Sequence, residues 1–61
     1  MLGYRLYFLR SDGRVCRAIE LPCEDDVTAI RTAEDLWRGE ALELWECERV
    51  IRRFPPYPHE A

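Results

Sequence analysis

Along this chain the spacing of apolar positions runs from about two residues to about 3.6 and back to two, which marks out strands, one helix and strands again. Tyr4-Arg5-Leu6-Tyr7-Phe8-Leu9 is rich in aromatic and apolar residues, and Val15-Cys16-Arg17-Ala18-Ile19 resumes the strand pattern after Asp12-Gly13. A hairpin from Tyr4 to Leu21 is predicted. With Asp12-Gly13 as a two-residue loop, Tyr4 faces Leu21, Arg5 faces Glu20, Leu6 faces Ile19 and Leu9 faces Cys16. A three-residue loop, Ser11 to Gly13 with a glycine bulge, would set Arg10 against Arg14 and Arg5 against Ile19. Cross-strand pairing favours the first register, because there apolar meets apolar and charge meets its opposite.

Pro22 lacks an amide donor and ends the strand. A helix is then expected from about Glu24 to Arg38, with Cys23 at the cap position and Glu24, Asp25 and Asp26 in the first turn, where the helix dipole favours carboxylates. Val27, Ile30, Ala33 and Trp37, with Ala29 and Leu36 beside them, form its apolar stripe, and Gly39 is a natural stop. Ala41-Leu42-Glu43-Leu44-Trp45-Glu46 and Arg49-Val50-Ile51-Arg52-Arg53-Phe54 predict a second hairpin around Cys47-Glu48. In that register Glu46 meets Arg49, Trp45 meets Val50, Leu44 meets Ile51 and Glu43 meets Arg52.

The expected fold is therefore α+β: a ββαββ chain forming a four-stranded antiparallel sheet in the order 2-1-3-4, with one helix on one face. Residues 1–54 make a single domain and the proline-rich segment 55–61 a flexible tail. Leu6, Phe8, Val15, Ile19, Leu21, Leu42, Leu44 and Ile51 are expected under the helix. The opposite face is expected to carry Tyr7, Leu9, Cys16, Ala18, Trp45, Val50 and Phe54. One helix cannot cover both faces, and that mismatch implies a partner.

Composition narrows the remaining choices. A 61-residue chain buries only about 60% of the surface its unfolded form exposes, so its core is marginal without a disulfide, a metal or a partner subunit. Cys16, Cys23 and Cys47 are odd in number and form no C-x-x-C pair, and the chain starts without a charged-then-apolar segment; a reduced cytoplasmic setting is expected. The one histidine, His59, lies in the tail, so neither zinc nor another cofactor is expected. No apolar run approaches the roughly 20 residues that span a bilayer. The net charge of −3 hides a segregation: residues 1–19 carry +3, residues 20–48 carry −8 and residues 49–61 carry +2.

Tyr4-Arg5-Leu6-Tyr7-Phe8-Leu9, Asp12-Gly13, Asp25-Asp26, Ala29-Ile30, and Glu43-Leu44-Trp45 with Arg49 together resemble a group of short bacterial proteins of uncharacterised role. Those share a Tyr-x-Leu-Tyr-Phe-Leu strand, an Asp-Gly turn, an acidic helix start and a late Glu-Leu-Trp strand. The resemblance spans residues 4–54 and implies a compact single domain; it implies no activity.

Chemistry-bearing groups are sparse. The acidic cluster Glu24-Asp25-Asp26 could attract a cation, but carboxylates at a helix start are first explained by the dipole. Paired carboxylates such as Glu34 and Asp35 fall on the expected wet face, and an enzyme is not expected. Cys16 and Cys47 read as incidental thiols rather than redox sensors, and Pro55-Pro56-Tyr57-Pro58 as a loose end rather than a polyproline ligand.

The favoured reading is a small cytosolic interaction or scaffold protein, acting as a homodimer or with another protein through Tyr7, Leu9, Trp45, Val50 and Phe54. The alternative is a single-stranded nucleic-acid platform in which Tyr7, Trp45 and Phe54 interleave with Arg5, Arg52 and Arg17. A pI near 5.0 weighs against it.

Overall fold

A computed structural model describes residues 3–56. The segment expected to be a tail lies outside the described residues from position 57 onward. Four strands, β1 (Tyr4–Leu9), β2 (Val15–Leu21), β3 (Ala41–Glu46) and β4 (Arg49–Phe54), and one helix, α1 (Asp26–Leu36), follow in the order ββαββ. The strands form one antiparallel sheet in the order β2-β1-β3-β4. The expected fold class and strand order are the observed ones.

The first hairpin uses both of the registers considered for it, in different places. From Tyr4–Leu21 to Phe8–Arg17 the pairs follow the two-residue-loop register. Nearer the turn, the Arg10 amide donates to the Arg14 carbonyl at 2.7 Å and the Gly13 amide to the Arg10 carbonyl at 2.9 Å, which closes a three-residue loop. Gly13 takes φ +88°, the left-handed conformation that such a loop needs and that glycine adopts without a Cβ clash. Leu9 therefore pairs with Val15 rather than Cys16, and a bulge at Cys16, between the Phe8–Arg17 and Leu9–Val15 pairs, reconciles the two registers. Val15 is moved to the uncovered face, where it is 55% exposed instead of packing under the helix.

A second bulge corrects the other hairpin. Glu46–Arg49 and Trp45–Val50 pair as expected, but the register then shifts by one, so that Leu44 faces Arg52, Glu43 faces Arg53 and Leu42 faces Phe54. An extra residue inverts every later side chain, because strand side chains alternate with a period of two. Phe54, expected on the interaction face, instead lies on the helix side with only 2% of its surface exposed. The expected Leu44–Ile51 and Glu43–Arg52 pairs are replaced for the same reason.

The helix is shorter than expected at both ends. Asp25, not Cys23, is its cap: the Asp25 carboxylate accepts the Thr28 amide at 2.8 Å, satisfying a donor that a thiol would leave poorly bonded. Trp37 leaves the helix with an extended backbone, two residues before Gly39 at φ +108°. Ala29 and Ala33, four residues apart, face the sheet and are fully buried, which lets the helix approach closely. Val27 points away from that line and is 67% exposed, so it does not belong to the apolar stripe.

Tyr4, Leu6, Phe8, Leu21, Leu42, Leu44 and Phe54 from the sheet, with Cys23, Ala29 and Ala33, make the core, and Ile19, Ile30, Leu36, Trp37 and Ile51 flank it. Trp37 packs against Phe54 with ring centroids 5.2 Å apart and donates its indole N–H to the Pro55 carbonyl at 3.0 Å.

Candidate functional site

The face of the sheet opposite α1 is a mixed surface in which apolar and charged side chains occupy definite places. Strand pairing puts Val15, Ala18 and Glu20 of β2 beside Leu9, Tyr7 and Arg5 of β1. These lie next to Ala41, Glu43 and Trp45 of β3, and Arg53 and Val50 of β4 complete the face. The apolar members form a band running obliquely across the strands, from Val15 and Leu9 through Tyr7 to Trp45 and Val50. Tyr7 and Trp45 meet edge to face with centroids 6.2 Å apart, and the Trp45 indole donates to the Glu43 carboxylate at 3.0 Å. Leu9, Tyr7, Trp45 and Val50 remain partly exposed, since each is covered only by its neighbours in the same layer.

An ion pair flanks the band on each side. Arg5 and Glu20 are 2.8 Å apart on one flank, and Arg53 and Glu43 are 3.4 Å apart on the other. The Glu20 hydrogen bond raises the Arg5 pKa further, so this charge is fixed at any accessible pH. Of the five residues expected in an interface, four sit together on this face and Phe54 does not.

The aromatic and arginine platform envisaged for nucleic acid is likewise divided. Arg17 lies over the Phe8 ring at 4.2 Å and Arg52 is 5.3 Å from the Phe54 ring, both on the helix side, where Arg52 also approaches Glu34 at 3.6 Å. Only Tyr7, Trp45 and Arg5 of the envisaged set share the open face.

A polar cluster that the sequence reading missed ties α1 to both hairpins at the far end of the molecule. The Tyr4 hydroxyl donates to the Asp26 carboxylate at 2.5 Å, and Arg49 reaches the same carboxylate at 3.3 Å while also binding Glu46. Asp26 sits one turn before Ala29 and Ile30 and so faces the sheet. The Tyr4 hydroxyl and Arg49 hold the Asp26 carboxyl below its usual range, and that hydrogen bond, helped by burial, pushes Tyr4 up to about 12. A tyrosine opening a strand, an acid at the first helical position and an arginine after the second turn were visible as residues, but their meeting depends on how helix and sheet dock.

Beside that end lies a depression of about 280 Å³ lined by Gly3, Tyr4, Arg5, Tyr7, Glu20 and Cys47. Its volume falls just below the roughly 300–1,000 Å³ of sites that enclose ligands. Its one thiol, Cys47, is at the β3–β4 turn, where the residue takes φ +56° and donates its amide to the Gly3 carbonyl at 3.2 Å. Among the described residues no three His, Cys, Asp or Glu side chains converge as a metal site would require, and no helix is long and apolar enough to cross a membrane. Comparisons of the chain with protein-family models, with curated proteins and with solved structures found no match in any of the three.

Proposed function

We propose that this chain is a small non-enzymatic interaction protein that works as a homodimer through the open face of its sheet. The observation that carries this reading is the band Val15, Leu9, Tyr7, Trp45 and Val50, which is continuous, apolar and uncovered while the other face has a complete core. Contiguous apolar patches of this kind mark interaction surfaces on soluble proteins, and twofold self-pairing is the commonest way to bury them. Tyr and Trp at its centre suit an interface, because they offer large rigid contact area.

The edges of the sheet support the face over edge-to-edge pairing. β2 carries a bulge near its start and Pro22 just after its end, and β4 carries its own bulge with Arg49, Arg52, Arg53 and Pro55. Bulges, prolines and charges are the devices that keep strand edges from pairing with another chain. The same face is a poor match to single-stranded nucleic acid, since Arg5 and Arg53 are each already paired with a carboxylate.

Sedimentation velocity or light scattering across about 10–500 µM, a range suited to interfaces of modest size, tests the proposal. The wild type should associate with rising concentration, and Trp45→Glu, which buries a charge in the centre of the band, should be monomeric throughout. A wild type that stays monomeric over that range, or one indifferent to Trp45→Glu, overturns the reading.

A further inference from the structure

The charges flanking the band specify how two copies would meet. On the β1–β2 flank the inner charge is Arg5 and the outer is Glu20; on the β3–β4 flank the inner charge is Glu43 and the outer is Arg53. The order of sign from the band outward is therefore positive then negative on one side, and negative then positive on the other. A face with this antisymmetry is complementary to itself under one particular twofold rotation.

We infer that the homodimer twofold axis lies between the two sheets along the line from Leu9 through Tyr7 to Trp45, so that Glu20 meets the partner's Arg53 and Arg5 meets the partner's Glu43. This rests on the open-face reading given above and adds a geometry to it. Rotation about an axis in the interface plane returns the band to the band and exchanges the two flanks. Strands lie about 4.8 Å apart, and residues on the same face are about 6.8 Å apart along a strand. On such a grid the rotation brings the Glu20 position within about 2 Å of the partner's Arg53. It also centres Arg5 among the partner's Trp45, the partner's Val50, the partner's Glu43 and the partner's Arg53, about 5 Å from each of the last two, of which Glu43 carries the opposite charge and Arg53 is taken up by Glu20.

Both partner groups are within side-chain reach. Arg5 over an indole is favourable as a cation–π contact as well as an ion pair. An axis perpendicular to this line instead carries each flank back onto its own side and gains no such cross-pairing. The two intramolecular pairs, Arg5–Glu20 and Glu43–Arg53, then extend into two four-membered charge networks across the interface. Four strands span only about 14 Å between the outer pair, so the buried area is modest and the dimer should be weak and readily exchanging.

Charge reversal tests the axis. Glu20→Arg gives a chain with arginine at both outer positions, and Arg53→Glu gives one with glutamate at both. The two substituted side chains, Glu20 and Arg53, are mostly exposed, so circular dichroism should show the fold retained in both variants. In sedimentation at low salt each variant alone should self-associate at least about tenfold more weakly than wild type, because its outer charges repel. Mixed in equal amounts, the two should form a heterodimer at least as tight as the wild-type homodimer. If the wild type dimerises and Trp45→Glu splits it, but the mixed variants do not associate, the axis is wrong and the open-face reading stands. A wild type that never dimerises removes the open-face reading and the axis with it.

Discussion

Each hairpin of this protein carries one extra residue on its edge strand, yet the consequences differ widely. In the first hairpin the bulge sits beside the turn at Cys16, so only Val15 is displaced from the face that uninterrupted alternation would give it. In the second it sits mid-strand at Ile51, and Arg52, Arg53 and Phe54 all change sides. The first bulge enlarges the open face by one valine, whereas the second takes an aromatic ring from that face and completes the core beneath Trp37. How far a bulge lies from the turn determines how much of a strand it re-addresses.

The contrast predicts its largest effect at the two displaced apolar residues. Phe54→Ala should cost about 3–5 kcal/mol, enough to unfold most of the population of so small a domain, while Val15→Ala should stay within about 0.5 kcal/mol. Urea denaturation of both variants measures this; equal losses would mean that Phe54 is not on the helix side. Removing the bulge residues is next in size. Deleting Ile51 leaves the paired register unchanged but takes away a partly buried side chain, at about 1–2 kcal/mol, whereas deleting the exposed Cys16 should cost less than about 1 kcal/mol. Amide chemical shifts should show the strand pairing preserved in both.

The turns offer a smaller version of the same contrast. Gly13 at φ +88° should lose about 1 kcal/mol on change to alanine, since it occupies the left-handed region without a Cβ. Cys47 holds φ +56° with a Cβ, so Cys47→Gly should gain about 0.5 kcal/mol in thermal unfolding. A loss at Cys47→Gly would show that its thiol contributes more than the turn conformation costs.

The smallest effects concern the cluster that joins the hairpins through α1. Because Asp26 is held below its usual pKa, its contribution is complete above the ordinary carboxylate range and is lost as pH falls through the depressed value. Tyr4 behaves oppositely: raised from 10.0 to about 12, it keeps in the folded chain a proton that the unfolded chain releases, so stability is lost as pH rises from 10 to about 12. Tyr4→Phe should flatten the alkaline limb of a melting-temperature profile and shift the acid limb upward. An unchanged profile would break the link between Tyr4 and Asp26.

Much of the architecture was legible in the order of residues. Two strand-patterned pairs about a single helical stretch fixed the ββαββ order, and complementary pairs such as Arg5 with Glu20 and Glu46 with Arg49 fixed the register near where the strands are regular. The open face was legible as Tyr7, Leu9, Trp45 and Val50, because these four lie in segments whose alternation the bulges leave alone.

Phe54 and Val15 were misplaced because each lies where an alternation was extended past a bulge, whereas Val27 sits in regular helix, off the line of Ala29 and Ala33 on which the buried stripe is centred. Period and turn chemistry are local properties, carried by a few adjacent residues, and the sequence by itself determined everything that depends on them: the elements, their order and most partners. The position of a bulge, the capping of α1 by Asp25 and the meeting of Tyr4, Asp26 and Arg49 are compromises between turn geometry, sheet twist and helix docking. Those terms couple residues on different elements, as in the Tyr4–Asp26 and Arg49–Asp26 contacts 22 and 23 positions apart, so only the tertiary structure decided them.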